Sequence, residues 1–137
     1  MKINKDVLDA MTHHALQAKP TESCGYLAGT DDYITHFYPM TNVDQSPEHF
    51  SFDPKEQFQV VKDARNNGLT LLSVYHSHPE TPARLSEEDL RLLNDPKMVY
   101  IIVSLMTQEP DVKAYQIRKP DETTIEIDRV ELTIRRK

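Results

Sequence analysis

Residues 75–89 read YHSHPETPARLSEED, and this stretch joins the end of a predicted strand to the start of a predicted helix. The apolar run LTLLSVYH at 69–76 predicts a strand in the centre of a sheet. His76 and His78 lie at the end of that strand and share one face, with Cα atoms about 6.6–6.8 Å apart. Both imidazoles can then reach one zinc ion, although the same pair also fits a polar strand end that faces solvent.

The second half of the stretch, SEED at 86–89, has the pattern of a helix N-terminus. Ser86 is a favourable N-cap and acidic residues suit the first turn, so this pair taken alone indicates only a helix start. The loop PETPARL between the two halves is expected to place Asp89 opposite the histidines as a third ligand. Two imidazoles and one carboxylate leave a fourth coordination position open, as in catalytic zinc sites. A thiolate-rich structural site is excluded because Cys24 is the single cysteine.

The composition is that of one soluble globular domain spanning residues 1–137, with 38% hydrophobic and 28% charged residues. No apolar run approaches the ~20 residues that span a bilayer, and the N-terminal residues lack the apolar region of a signal peptide. We therefore expect a cytoplasmic protein with no membrane partner. The net charge of −6, without a basic stripe, also makes a nucleic-acid partner unexpected.

Helical spacing and capping residues predict three helices. The first spans about 5–18, with His13 and His14 expected at its surface, and the third spans about 86–94. The second begins after Asp53 and ends at the NNG of 66–68. Its expected start is Pro54 with Glu56 completing a capping box, and its expected buried face is Phe58, Val61, Ala64 and Arg65.

Apolar or alternating runs predict the strands that surround LTLLSVYH. They are CGYLAG (24–29), YITHFYP (33–39), HFSF (49–52), MVYIIVSL (98–105), VKAYQIR (112–118) and TTIEIDRVELTI (123–134). Helices interspersed with strands in this way predict an α/β (α+β) fold, in which helices flank one mixed sheet.

Residues 22–105 resemble the JAMM (MPN+) metalloprotease domain. The pattern of that family is a glutamate, then His-Ser/Thr-His-Pro, then Ser-x-x-Asp. Here Glu22 opens ESCGYLAG, the run HSHP spans 76–79, and seven residues from its proline to Leu85 precede SEED. The match is complete in residue type and spacing. One departure is Leu85, where many relatives have proline immediately before the motif serine.

The resemblance implies a role for each motif residue. It implies one zinc ion held by His76, His78 and Asp89, with Glu22 as the general acid/base and Ser86 as hydrogen-bond donor to the developing oxyanion. Without the resemblance, Glu22 also fits an ordinary acidic residue in a loop. The implied fold is similar to that of cytidine deaminases, but the H-x-E and P-C-x-x-C ligand motifs of a deaminase are missing.

JAMM domains hydrolyse amide or isopeptide bonds at the C-terminus of ubiquitin or ubiquitin-like proteins. This chain resembles the small prokaryotic branch, whose substrates are β-grasp sulfur-carrier proteins ending in Gly-Gly. The segment 33–52 is the expected sheet edge on which such a tail adds as a strand. Two alternatives are a non-catalytic MPN scaffold and a zinc peptidase acting on cell-wall or phage-related peptides.

Overall fold

The computed structural model describes residues 1–136, which form a mixed sheet of eight strands and three helices. The helices are α1 (Lys5–Ala18), α2 (Pro54–Asn66) and α3 (Glu87–Leu92). The strands are β1 (Lys2–Asn4), β2 (Cys24–Thr30), β3 (Tyr33–Met40), β4 (Thr70–His78), β5 (Val99–Ser104), β6 (Asp111–Asp121), β7 (Thr124–Val130) and β8 (Thr133–Arg135). Their order is β7-β6-β5-β4-β2-β3-β1-β8, with β4 parallel to β5 and β1 parallel to both its neighbours. The predicted α/β fold is confirmed.

Different helices cover the two faces of the sheet, because side chains alternate between faces along a strand. One face packs against α1 through a buried apolar cluster that includes Ile3, Val7, Met11, Ala15, Leu27, Ile34, Tyr75, Ile101 and Val103. The opposite face packs against α2 and the end of α3 through a second cluster that includes Cys24, Tyr26, Val60, Val74, Leu93, Tyr100 and Ile117. Alternate residues of β2 and β4 therefore contact different helices.

Helix α1 has the bounds that the sequence predicts. Asn4 caps it, and the Asn4 side chain accepts a hydrogen bond from the backbone N–H of Asp6 at 2.9 Å. His13 is exposed as expected, but His14 is half-buried and its Nδ1 hydrogen-bonds the hydroxyl of Tyr75. The expectation of two surface histidines is therefore wrong for His14, because its side of the helix turns toward the sheet.

Helix α2 begins where predicted, but without the expected capping box. The Asp53 carboxylate accepts the N–H of Lys55 at 2.9 Å, so Asp53 is the N-cap. The Glu56 carboxylate instead accepts two hydrogen bonds from Thr41, one from its N–H and one from its hydroxyl, both at 2.8 Å. Glu56 therefore connects α2 to the segment after β3, a tertiary contact that the local sequence pattern does not predict.

The buried face of α2 also differs from the predicted one. Val60 and Ala64 are buried against the sheet, whereas Phe58 is 69% exposed and Val61 is 38% exposed. The helix carries apolar residues on two adjacent faces, and the pair with i,i+4 spacing contacts the core. The prediction that Phe58, Val61 and Arg65 face the core is wrong, since all three are exposed, while the prediction for Ala64 is confirmed.

Residues 49–52 do not form the predicted strand. They belong to the connection between β3 and α2, where Phe52 makes an isolated bridge with Asn42. The Asn42 side chain organises this connection: its amide donates to the carbonyl of His49 at 3.0 Å, and its oxygen accepts the N–H of Ser51 at 3.2 Å. Side-chain hydrogen bonds thus replace a strand ladder here.

The C-terminal run 123–134 forms two strands instead of one. β7 pairs antiparallel with β6, and β8 lies at the opposite edge of the sheet, parallel to β1. Strand β1 itself is not predicted from the sequence, because its three residues are too few for a periodic signal. α3 ends at Leu92, two residues before the predicted end. None of the helices formed by residues 1–136 is long and apolar enough to cross a membrane.

Candidate active site

Strands β2 and β4 bring the predicted site residues together. The two strands pair antiparallel, and Cys24 of β2 lies opposite His76 of β4. Glu22 comes two residues before Cys24, so it extends from the same end of the sheet as His78. Glu22, His76 and His78 are all buried. The expectation that the two histidines end a strand is confirmed.

Three donor atoms converge at this end of the sheet. Nε2 of His76 lies 3.1 Å from Asp89 Oδ1, and Nε2 of His78 lies 3.1 Å from Asp89 Oδ2. The two Nε2 atoms are themselves 3.1 Å apart. The loop between β4 and α3 therefore returns the chain as the sequence predicts, and Asp89 faces both histidines.

Neighbouring groups orient the two imidazole rings. Nδ1 of His78 lies 2.9 Å from the Pro82 carbonyl and donates to it, so in the neutral imidazole Nε2 is the nitrogen whose lone pair a metal ion would bind. The ring of Phe50 stacks on His76, with centroids 4.9 Å apart and an interplanar angle of 23°. His76 Nδ1 is buried without a hydrogen-bond partner among residues 1–136. Sequence reasoning missed both Phe50 and Pro82, since a ring contact and a backbone carbonyl leave no motif.

The Asp89 carboxylate is held in its charged form. Burial alone raises the pKa of a carboxyl group, but hydrogen bonds with His76 and His78, together with the N–H of Ser86, outweigh it and hold the pKa of Asp89 well below its usual range. The hydrogen bond from Ser86 also belongs to the capping box at the start of α3. The residue is therefore fixed in position and negative.

These donors fit zinc. The nitrogen and oxygen atoms of His76, His78 and Asp89 lie within 4.8 Å of one another, and all three residues are buried. Two imidazole nitrogens and one carboxylate form a catalytic-type ligand set for zinc, which leaves a coordination position for substrate or water. The hydrogen bond from His78 to a backbone carbonyl is the usual outer contact of a metal-binding histidine. The three residues thus form a potential metal site consistent with zinc.

Glu22 lies beside this site in a polar cleft. It is 4% exposed, and its Oε1 has no hydrogen-bond partner within residues 1–136. Burial disfavours the charged carboxylate and raises the pKa of Glu22 to about 8. Its backbone is held on both sides: the N–H donates to the Ser46 carbonyl at 2.8 Å, and the carbonyl accepts from the Asn42 side chain at 3.0 Å. The chain thus fixes a buried acid next to the histidines.

The cleft has a volume of about 580 Å³. Glu22, His78 and Ser86 all line it, so the predicted proton carrier, one potential ligand and the predicted oxyanion donor share one open space. Ser86 Oγ accepts the N–H of Asp89 at 3.0 Å, which leaves the hydroxyl proton of Ser86 available to a bound molecule. The other lining residues are Pro47, Glu48, Glu80, Thr81, Glu87, Glu88 and Arg91. Leu85, at the position of the common proline, is partly buried in the apolar clusters.

The chain matches a known domain family and named relatives. The family model for prokaryotic homologs of the JAB domain matches residues 4–118. The CysO-cysteine peptidase of Mycobacterium tuberculosis is 34% identical over 120 residues, which cover 84% of this chain and 81% of that protein. The desampylase of Haloferax volcanii is 31% identical over 111 residues, which cover 76% of this chain and 80% of that protein.

Solved structures agree with this match. Protein DSY2949 from Desulfitobacterium hafniense is 43% identical with a TM-score of 0.89, over 99% of this chain and 93% of its own. A structure described as JAMM, a metalloprotease-like zinc site in the proteasome and signalosome, is 26% identical with a TM-score of 0.62, over 98% of this chain and 96% of its own. These relatives confirm the prediction of a hydrolytic enzyme of JAMM type. The chain belongs to the prokaryotic JAB-domain family.

Proposed function

We propose that this protein hydrolyses the amide bond that follows the C-terminal Gly-Gly of a ubiquitin-like sulfur-carrier protein. The observation that carries the proposal is the convergence of His76, His78 and Asp89 beside a cleft that Glu22 and Ser86 also line. We propose His76, His78 and Asp89 as the zinc ligands. A zinc ion bound there supplies Lewis acidity, which polarises a carbonyl oxygen and makes water acidic near neutral pH.

Glu22 is the proposed proton carrier. It removes a proton from the attacking water and delivers it to the leaving nitrogen, so that the amine departs in a neutral form. Oε1 of this buried carboxyl group has no hydrogen-bond partner within residues 1–136, so it is available for this exchange. Burial raises its pKa toward the range in which a carboxyl group both accepts and donates protons at neutral pH. The positive charge of a cation in the site favours the carboxylate that begins the cycle.

Ser86 is the proposed donor to the oxyanion that forms when water adds to the carbonyl. Its Oγ already accepts the N–H of Asp89, and this contact fixes the oxygen at the edge of the cleft. The hydroxyl proton then has a defined origin from which to reach the substrate oxygen. A donor placed before reaction costs little reorganisation, which is why the helix cap is a suitable position for it.

The substrate class rests on the family. The names of the mycobacterial and archaeal relatives, CysO-cysteine peptidase and desampylase, agree with the sulfur-carrier or ubiquitin-like conjugate that the resemblance implies. The alternative of a non-catalytic scaffold is not favoured, because all three potential ligands and the buried glutamate are present. The β-grasp fold of the carrier and a cytoplasmic location remain predictions.

The testing experiment uses a folded β-grasp carrier with an amino acid attached to its C-terminal Gly-Gly through an amide bond. Zinc-loaded protein should release that amino acid and restore the free Gly-Gly carboxylate, which intact-mass spectrometry detects. Glu22→Gln should bind zinc normally and lose about 10²–10⁴-fold in turnover, the usual contribution of a general acid/base. Cleavage of cell-wall peptides with the carrier left intact would favour the other peptidase alternative.

A further inference from the structure

A chain of buried hydroxyl groups lies directly behind the candidate site. Tyr75 of β4 packs on the α1 face of the sheet, and Ser77, two residues on, points to the same face. Ser23 reaches them from the strand end opposite. Their neighbours Glu22 and His76 point to the other face, where the cleft and potential ligands lie. The hydroxyl chain and the site are thus separated only by the backbone of two strands.

The hydroxyl chain is continuous from helix α1 to the centre of the HSHP motif. His14 Nδ1 hydrogen-bonds the Tyr75 hydroxyl, and that hydroxyl donates to Ser23 Oγ at 2.7 Å. Ser23 Oγ donates to Ser77 Oγ at 3.0 Å, and the N–H of Ser23 donates to the same oxygen at 2.8 Å. Each contact has one donor and one acceptor when Nδ1 of His14 carries a proton. This condition holds for the protonated imidazole and for one neutral tautomer.

The hydroxyl chain joins β2 to β4 beyond the last pair of their ladder. That ladder ends at Cys24 and His76. One step further, the N–H of Ser77 donates to the Ser23 carbonyl at 2.9 Å, and the side-chain contacts reinforce this point. Strand ends without such contacts fray readily. Here Glu22 lies just before β2 and the two histidines lie at the end of β4, so fraying would change their separation.

We propose that Tyr75, Ser23 and Ser77 are positioning residues, whose hydroxyl chain fixes the spacing between the proposed proton carrier, just before β2, and the two histidines on β4. His14 takes part by orienting the Tyr75 hydroxyl, which couples helix α1 to the site. Proton transfer is sensitive to such spacing, and a displacement of about 1 Å can cost about 10²-fold in rate. The effect on turnover rests on the proposed function, whereas the effect on the strand ends does not.

Ser73 provides a matched control for a purely structural role. It lies on the same strand and the same face as Tyr75 and Ser77, and it is fully buried. Its hydroxyl donates to the Val99 carbonyl at 2.7 Å, outside the hydroxyl chain. Ser73→Ala therefore removes a buried hydroxyl from β4 and leaves the hydroxyl chain of Tyr75, Ser23 and Ser77 intact. If Ser73→Ala loses as much activity as Tyr75→Phe and Ser77→Ala, the loss comes from reduced stability and not from the hydroxyl chain.

The first test measures amide hydrogen exchange in the metal-free protein. Tyr75→Phe keeps the ring that packs edge-on against His14 and Phe37, and it removes only the hydroxyl. We expect the amides of Ser23 and Ser77 to exchange at least several-fold faster in Tyr75→Phe than in wild type, but not in Ser73→Ala. Unchanged exchange at both serines in Tyr75→Phe overturns the inference.

The second test measures zinc content, kcat and KM on the carrier substrate. Tyr75→Phe and Ser77→Ala should each lower kcat by about 10-fold to 100-fold, with KM and zinc content within about twofold of wild type. Ser77→Thr keeps a hydroxyl and should restore kcat. The double variant should be little worse than either single variant, because both break one hydroxyl chain. An equal loss of kcat in Ser73→Ala overturns the inference.

The two tests separate the inference from the proposed function. If wild-type protein cleaves no carrier while the exchange result stands, the proposed function fails and the hydroxyl chain still fixes the strand ends. If wild type is active and Tyr75→Phe exchanges and turns over normally, the function stands and the inference fails.

Discussion

Ser86 and Asp89 exchange hydrogen bonds across the first turn of α3. The N–H of Asp89 donates to Ser86 Oγ at 3.0 Å, and the N–H of Ser86 donates to Asp89 Oδ2 at 3.0 Å. The same carboxylate lies 3.1 Å from Nε2 of both His76 and His78. One side chain therefore completes a helix cap and faces the two histidines, so the start of α3 and the potential zinc site are built from the same contacts.

Ser86→Ala should reduce stability and turnover through separate losses. Removal of the cap should cost about 0.5–2 kcal/mol of unfolding free energy, and removal of the hydroxyl donor about 10²–10³ in kcat. Ser86→Gly, which lacks the donor but costs only about a few tenths of a kcal/mol as a cap, should be nearly as stable as wild type and as inactive as Ser86→Ala. Denaturant unfolding and steady-state kinetics measure the two effects. Normal turnover of Ser86→Gly would reduce Ser86 to a helix cap.

The protein should bind one zinc ion per chain. His78→Ala should lose most of the metal, because it removes one of three converging donors. His36→Ala is the matched control, since His36 is exposed on β3 away from the potential ligands. Elemental analysis of protein purified without chelators measures the metal. Full zinc retention in both His76→Ala and His78→Ala would contradict the ligand assignment.

Local patterns in the sequence predict much of the fold and most of the site. The spacing of the HSHP and SEED motifs places two histidines at a strand end and Asp89 at a helix start, and both placements are confirmed. Their convergence depends on the short loop between them. The role of Glu22 cannot be predicted from local sequence patterns, because these do not distinguish it from an ordinary acidic residue in a loop. Only the family resemblance selects it. Its burial is a tertiary property.

The incorrect predictions have a common physical cause. Glu56 has a good capping-box position, but the N–H and the hydroxyl of Thr41, in the segment after β3, both donate to its carboxylate. These two hydrogen bonds replace the expected one to the start of α2. Phe58 has the right spacing for a core face, yet the sheet contacts the neighbouring stripe of α2. Phe50 lies in a short apolar run that resembles a strand, but it stacks on His76 instead. Each outcome depends on contacts between elements distant in sequence.

The stability of the metal-free protein should report the ionisation of Glu22. Burial raises its pKa from 4.5 to about 8. Between these values the folded protein holds a proton that the unfolded chain has released, so this residue's contribution to unfolding free energy falls as pH rises. Glu22→Gln cannot titrate. The unfolding free energy of wild type minus that of Glu22→Gln should therefore decrease from about pH 4.5 to about pH 8. A constant difference over this range would mean an ordinary pKa for Glu22.

Arg91 should strengthen the binding of substrates whose leaving group carries a carboxylate. It lines the cleft together with five glutamates, Glu22, Glu48, Glu80, Glu87 and Glu88, and its positive charge is permanent. An amino acid joined to Gly-Gly through its α-amine presents a carboxylate beside the scissile bond, and a guanidinium pairs well with that group.

Arg91→Gln should raise KM for the amino-acid adduct by about 10-fold or more, and it should leave KM for the corresponding C-terminal amide unchanged. Arg84→Gln, an exposed arginine that does not line the cleft, is the control. Equal effects on the acid and the amide would exclude carboxylate recognition by Arg91.

Carrier recognition should depend on backbone pairing of the tail and on contacts with the body of the carrier, because a Gly-Gly tail offers no side chains. The predicted edge at 33–52 requires correction, since residues 49–52 form no strand. Within the described chain, β1 pairs only with Tyr33 and Ile34 of β3, so residues 35–40 keep an edge on which a tail can add as a strand.

A folded carrier should therefore be cleaved at least about 10-fold faster, in kcat/KM, than a short peptide with the same last residues. Proline before Gly-Gly removes a backbone donor and should lower that rate. If the peptide is cleaved as fast as the carrier, the enzyme is a general small-peptide hydrolase and recognition of the carrier body is wrong.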